Sequence, residues 1–158
     1  MEIYLVRIRS FNIMGKNYFK FKFICNINLE GIEMDNSFKI DLARTLVEMK
    51  ISGIFNFTEF RSFFESILNH PDFRPGFKIF CDARGMDFSN MTRSDVDEIV
   101  KFDKDILERR GHGRTAFLVN DDLQFGMSRM VELQRDERHR KPLNVFKSPD
   151  KARRWLEI

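Results

Sequence analysis

Cysteine occurs only twice in 158 residues, too few for a disulfide scaffold. Four prolines and eight glycines are equally sparse and exclude collagen-like and low-complexity chains. With one tryptophan and two tyrosines against 18 phenylalanines, the aromatic content is plain core filler. No run of about 18 apolar residues occurs. Arg7, Arg9, Lys16, Lys20 and Lys22 break up the amino-terminal segment before a signal-peptide apolar region can form. A soluble cytoplasmic protein with no transmembrane segment is expected. Charge of one sign is also scarce: residues 1–33 hold five Lys/Arg and three Asp/Glu, and residues 34–158 hold 22 against 21. A whole-chain basic field that would recruit nucleic acid is therefore absent. No metal, cofactor or nucleophile signature names a reaction, so a non-enzyme without cofactor is expected.

What is present is one domain's length of chain, 42% apolar and 32% charged, enough for a single packed core. Met1–Asn28 is rich in Phe, Ile, Lys and Asn, and Tyr18-Phe19-Lys20-Phe21-Lys22-Phe23 alternates as a strand does, yet no turn signal ties it to a partner. Residues 1–36 are set apart as an amino-terminal extension, and residues 37–158 as the domain. Two readings of the extension stay open. Glu30-Gly31 can be encoded by a purine-rich tract resembling a ribosome-binding site, which makes Met34 the start; or the segment is a hairpin covering an edge strand.

From Ser37 the punctuation is regular. Phe38–Leu42 and Leu46–Ile51 alternate and predict an antiparallel pair. Asn56 and Glu59 have capping-box spacing, and Phe57, Phe60, Phe63, Phe64, Ile67 and Leu68 share a helical face ending before Pro71. Phe77–Asp82 reads as a third strand that stops at the polar loop Ala83-Arg84-Gly85. Thr92 and Asp95 cap a helix running to Arg110, where Gly111 ends it. Ala116–Val119 predicts a strand buried on both faces, and Asn120-Asp121-Asp122 caps a helix with Leu123, Met127, Met130 and Val131 on one face. After the charge run Arg135–Lys141, Leu143–Phe146 is a fifth strand, and Ser148-Pro149-Asp150 opens a last helix. The order β-β-α-β-α-β-α-β-α implies an α/β fold: a mixed sheet of about five strands, parallel in its later part, with helices packed on it.

Four segments carry a family resemblance: His70-Pro71-Asp72-Phe73-Arg74-Pro75-Gly76, Cys81-Asp82-Ala83-Arg84, Phe125–Met130, and Val145–Ser148 running on to Ala152 and Trp155-Leu156. Together they resemble the small bacterial STAS-like proteins, which are related to anti-sigma-factor antagonists and described alongside CRAL-TRIO lipid-transfer domains. The resemblance covers about residues 37–158. It implies a non-catalytic regulatory module that binds a protein partner or a small ligand and reports that state. In the phosphorylated antagonists a Ser or Thr follows the third strand; here that junction reads Asp82-Ala83-Arg84-Gly85, with Ser89, Thr92 and Ser94 further on. Ser89 and Thr92 are the candidate phosphoacceptors, and Thr92 equally fits a plain cap.

Strand-end position nominates Asp82, Arg84, Asn120, Asp121 and Asp122 as a binding rim, with Asp82 and Arg84 aimed at the amino end of the second helix, or simply paired with each other. Phe125, Met127, Arg129 and Met130 extend that surface for a partner, or for a small apolar or lipid-like ligand held by adaptable methionines that otherwise pack as core. Cys81, before a helix, has the location of an activated thiol or of inert packing. No histidine is placed to help it: His70 precedes a proline, His112 lies in a Gly-His-Gly turn and His139 in a charge run, and none has metal-ligand spacing. From Arg129 onward nine Lys/Arg face five Asp/Glu, a patch suited to an acidic partner or an anionic membrane surface. A homodimer is compatible with all of this.

Overall fold

A computed structural model describes residues 5–13 and 16–24 as backbone only, and residues 35–134 and 143–158 with their side chains. Seven strands form one sheet in chain order: β1 (Leu5–Ile13), β2 (Lys16–Ile24), β3 (Asp35–Asp41), β4 (Leu46–Ile54), β5 (Lys78–Asp87), β6 (Thr115–Leu118) and β7 (Leu143–Phe146). β1 to β4 are antiparallel neighbours, and β4 to β7 are parallel. The expected mixed α/β order holds from β3 onward. The β1–β2 pair adds two strands beyond it, with β2 bonded to β3 from Phe19 opposite Phe38 to Phe21 opposite Asn36.

The parallel strands are joined by α1 (Phe57–Leu68), by α2 (Arg93–Asp105) with α3 (Leu107–Arg110), and by α4 (Asp122–Gln134); α5 (Pro149–Leu156) follows β7. Each crossover steps to the next strand in the same direction, so the right-handed rule puts its helices on one face. The larger core lies on that face: Val47, Met49, Ile51, Ile79 and Cys81 of the sheet meet Phe63 and Ile67 of α1. Full burial of each such side chain contributes about 1.5–3 kcal/mol. On the other face Leu46, Phe80, Ala116 and Leu118 pack against Ala152 and Leu156 of α5. Among the described residues no helix is long and apolar enough to cross a membrane.

Local chemistry explains the helix starts. Asn56 accepts a hydrogen bond from the Glu59 N–H (3.1 Å), Thr92 and Asp95 form a reciprocal capping box, and Ser148 caps α5 with Pro149 in its first turn.

Two boundaries differ from the sequence expectation. β5 does not stop at Asp82 but runs to Asp87, because an extra residue is inserted where Lys50 pairs with Asp82 and Ser52 with Gly85. Ala83 and Met86, three apart, are both buried, so period-two alternation fails at Arg84-Gly85. The helix expected to run to Arg110 breaks at Ile106. Its last residue, Arg110, is buried and donates to the Gly113 carbonyl (2.9 Å) and to the Thr115 hydroxyl, tying the turn to β6. Gly113 has no room for a side chain there, since a Cβ would lie 2.1 Å from the Phe77 carbonyl oxygen.

Candidate functional site

The rim residues are spread along a bulged strand and a helix start. Asp82 and Arg84 straddle the β5 bulge rather than following the strand, and α2 begins eight residues beyond Arg84 at Thr92, its cap. They pair with each other: Arg84 donates to both Asp82 oxygens, at 2.9 and 2.8 Å. The guanidinium holds the Asp82 carboxyl below the usual carboxylate range, its hydrogen bond outweighing the opposing effect of partial burial. Asp121 is the cap of α4, accepting from the Gln124 N–H at 2.8 Å. Asn120 is exposed, and Asp122 pairs with Lys147, whose ammonium also stands 5.5 Å from the centre of the Phe125 ring.

Gln124 organises this region and was not singled out by the sequence. Beyond Asp82, β5 has no strand partner on its β6 side, since that ladder ends at Asp82 opposite Leu118. The buried Gln124 amide takes the place of the missing strand, donating to the carbonyls of Met86 (2.6 Å) and Arg84 (3.4 Å) and accepting from the Asn120 N–H (2.6 Å). Its spacing from Asp121, that of a capping box, was the available signal.

Under α4 lies a small apolar pocket with a cavity volume of about 60 Å³, open at its mouth. Ile51 of β4, Phe117 of β6 and Leu143 of β7 form its floor. Phe60 of α1, Ile99 of α2, and Ser128 and Val131 of α4 form its walls, and Phe55, Phe88 and Met91 complete the lining. The β5 bulge contributes directly: by extending the strand it delivers Phe88 to the pocket, edge-on to Phe55 at 5.8 Å between centroids. Met127 packs into the larger core, and Met130 is half-buried, so α4 presents Ser128 and Val131 to the pocket instead. Arg129 is half-buried and paired with Glu132.

Cys81, Thr92, Ser89 and His70 lie apart from this pocket's lining. Cys81 is packed in the core, where burial pushes its thiol well up and leaves it un-ionised. Thr92 accepts from the Asp95 N–H (3.3 Å) and donates to the Asp95 carboxylate (2.7 Å), while Ser89 is exposed with its N–H on Asp87 (2.8 Å). The His70 ring packs edge-on to Phe38, and burial lowers its basicity. His139 and the charge run Arg135–Lys141 lie outside the described residues.

No family model matches the chain, and no curated protein matches it. Among solved structures, the chain is similar to an uncharacterised DUF3478-family protein with a SpoIIAA-like fold from Shewanella loihica PV-4. That likeness has 12% identity and a TM-score of 0.43, covering 99% of this chain and 97% of the other.

Proposed function

We propose that this chain is a non-catalytic, STAS-like regulatory module that holds a small apolar or lipid-like ligand in the pocket beneath α4. The observation that carries this reading is the pocket itself. Its walls come from three helices and its floor from three strands, and the surface that the described residues turn towards it is wholly apolar. A concave, largely apolar site with few polar groups is the usual form of a small-molecule pocket. The sequence resemblance to STAS-like proteins, described alongside lipid-transfer domains, points the same way.

A protein partner fits the same scheme through α4. Leu123, 53% exposed in the first turn of α4, stands next to Gln124, which anchors the helix to β5, while Ser128 and Val131 face the pocket one to two turns later. One helix thus carries both the ligand wall and an exposed apolar contact.

The test is a melting curve with and without toluene, a probe with no polar head. A ligand present at about a hundred times its dissociation constant stabilises the folded state by about 2.7 kcal/mol. At this chain length that is a rise of roughly 5–10 °C in Tm. Val131→Trp, which fills the pocket, should remove the rise. No rise in the native chain, or an equal rise in V131W, contradicts the reading.

A further inference from the structure

Net charge over the whole chain is only +3, but the sheet sorts it by face. Strand residues alternate between faces, and residues directly opposite in neighbouring strands share one. In the β1–β2 pair every charged residue falls at positions of one face: Arg7 across from Lys22, Arg9 across from Lys20, and Lys16 four residues before Lys20. The other face carries uncharged residues, Val6, Ile8, Phe19, Phe21 and Phe23 among them. Lys20 stands across from Ser37, Ser37 from Lys50, and Lys50 from Asp82, so the basic row runs on into β3 and β4. Ile51, on the floor of the α4 pocket, alternates with Lys50, which puts this row on the opposite side of the sheet. Phe11 and Tyr18, across from each other, and Lys39 belong to the same face one row along.

Among the described residues the helix of this face is α5, which lies over β5, β6 and β7. Beside it a groove of about 250 Å³ is bordered by Lys39, Lys50, Phe80 and Arg153. The Arg153 guanidinium lies 4.7 Å from the centre of the Phe80 ring and 3.8 Å from Glu48. Three carboxylates of this face are offset locally, Glu48 by Arg153, Asp82 by Arg84 and Asp41 by Arg44, while Asp35 stands at the end of β3. Lys50 is exposed. We infer that this face of β1–β4 binds single-stranded nucleic acid, its phosphates on the lysines and arginines and its bases stacked on Phe11 and Tyr18. Charge complementarity calls for a polyanion, since cations two apart on one strand recur about every 6.6–6.8 Å. Aromatic positions interleaved with cations beside a groove favour a single strand, whose bases are free to stack. A duplex keeps its bases stacked on one another, and a bilayer is too broad to enter a groove of this size.

Binding of fluorescein-labelled oligothymidylate and oligouridylate to the full chain is read by anisotropy over a range of salt concentrations, and binding of either supports the inference. The logarithm of the affinity should fall linearly with the logarithm of salt concentration. Lys20→Gln and Lys50→Gln should each flatten that slope by about 0.7, the share of one phosphate contact on a single strand. Tyr18→Ala should weaken binding about fivefold or more, the loss of one stacked base. Thermal melting reports whether each variant folds, and Lys50→Gln, at an exposed position of β4, keeps the test open if a β2 variant does not. No binding of either oligonucleotide at low salt, or an unchanged slope in a folded lysine variant, overturns the inference. A duplex bound as tightly as the single strand, displacement by polyglutamate of equal charge, or preference for phosphatidylserine vesicles over both oligonucleotides also overturns it. None of these outcomes bears on toluene binding, which belongs to the other face of the sheet.

Discussion

Gln124 shows how much of the arrangement rests on one side chain. Its amide replaces a strand along the free edge of β5 and also ties down the Asn120 N–H, so its loss strands several backbone groups away from water. Gln124→Leu should cost about 1–3 kcal/mol in urea unfolding, the penalty of buried groups left unsatisfied, whereas substitution of exposed Asn120 should cost under about 0.5 kcal/mol. Equal effects from the two would remove Gln124 from this role. The residue was legible only as a cap, because sequence spacing finds the Asp121–Gln124 relation but not a carbonyl 38 positions away in the chain. Asp82 and Arg84 were legible as a pair, since two residues of opposite charge two apart on an extended chain can meet when the strand bulges. Cys81 had two readings from sequence, and its complete burial decides for packing.

At the scale of elements, periodicity worked where the backbone is regular and failed where it is not. β3 and β4 alternate cleanly and were expected within a few residues of their ends, and the caps at Asn56, Thr92 and Ser148 stand where their spacing put them. β5 was truncated in the reading because one inserted residue shifts every later side chain to the other face. The Asp82–Arg84 pair spans this bulge, and its pH dependence follows from the depressed Asp82 carboxyl. A carboxyl lowered in the folded state contributes stability above the unfolded value of about 3.9 and loses it as pH falls through the folded value. For a partly exposed pair this amounts to about 0.5–1 kcal/mol. Asp82→Asn should therefore lower stability by about that amount between pH 5 and 8, with the difference from the native chain shrinking below pH 4. A difference that stays constant down to pH 2 contradicts the pair's contribution.

For the whole molecule, the crossover helices crowd one face of a long sheet while α5 covers only part of the other. That asymmetry makes the pocket: α1, α2 and α4 meet over β4, β6 and β7 with a gap that none fills. Element order was readable from the sequence, but a cavity bounded by residues as far apart as Ile51 and Leu143 is not, since each of them individually looks like ordinary core. Met127 and Met130 were nominated from sequence for an apolar pocket wall, where neighbouring Ser128 and Val131 do the lining. The most direct test of the account is a titration of the isotope-labelled chain with toluene, followed by NMR. The account predicts saturable shifts confined to Phe60, Ile99, Phe117, Ser128, Val131 and their neighbours. Shifts that do not saturate, or that centre on α5 and the opposite face of the sheet, would contradict it.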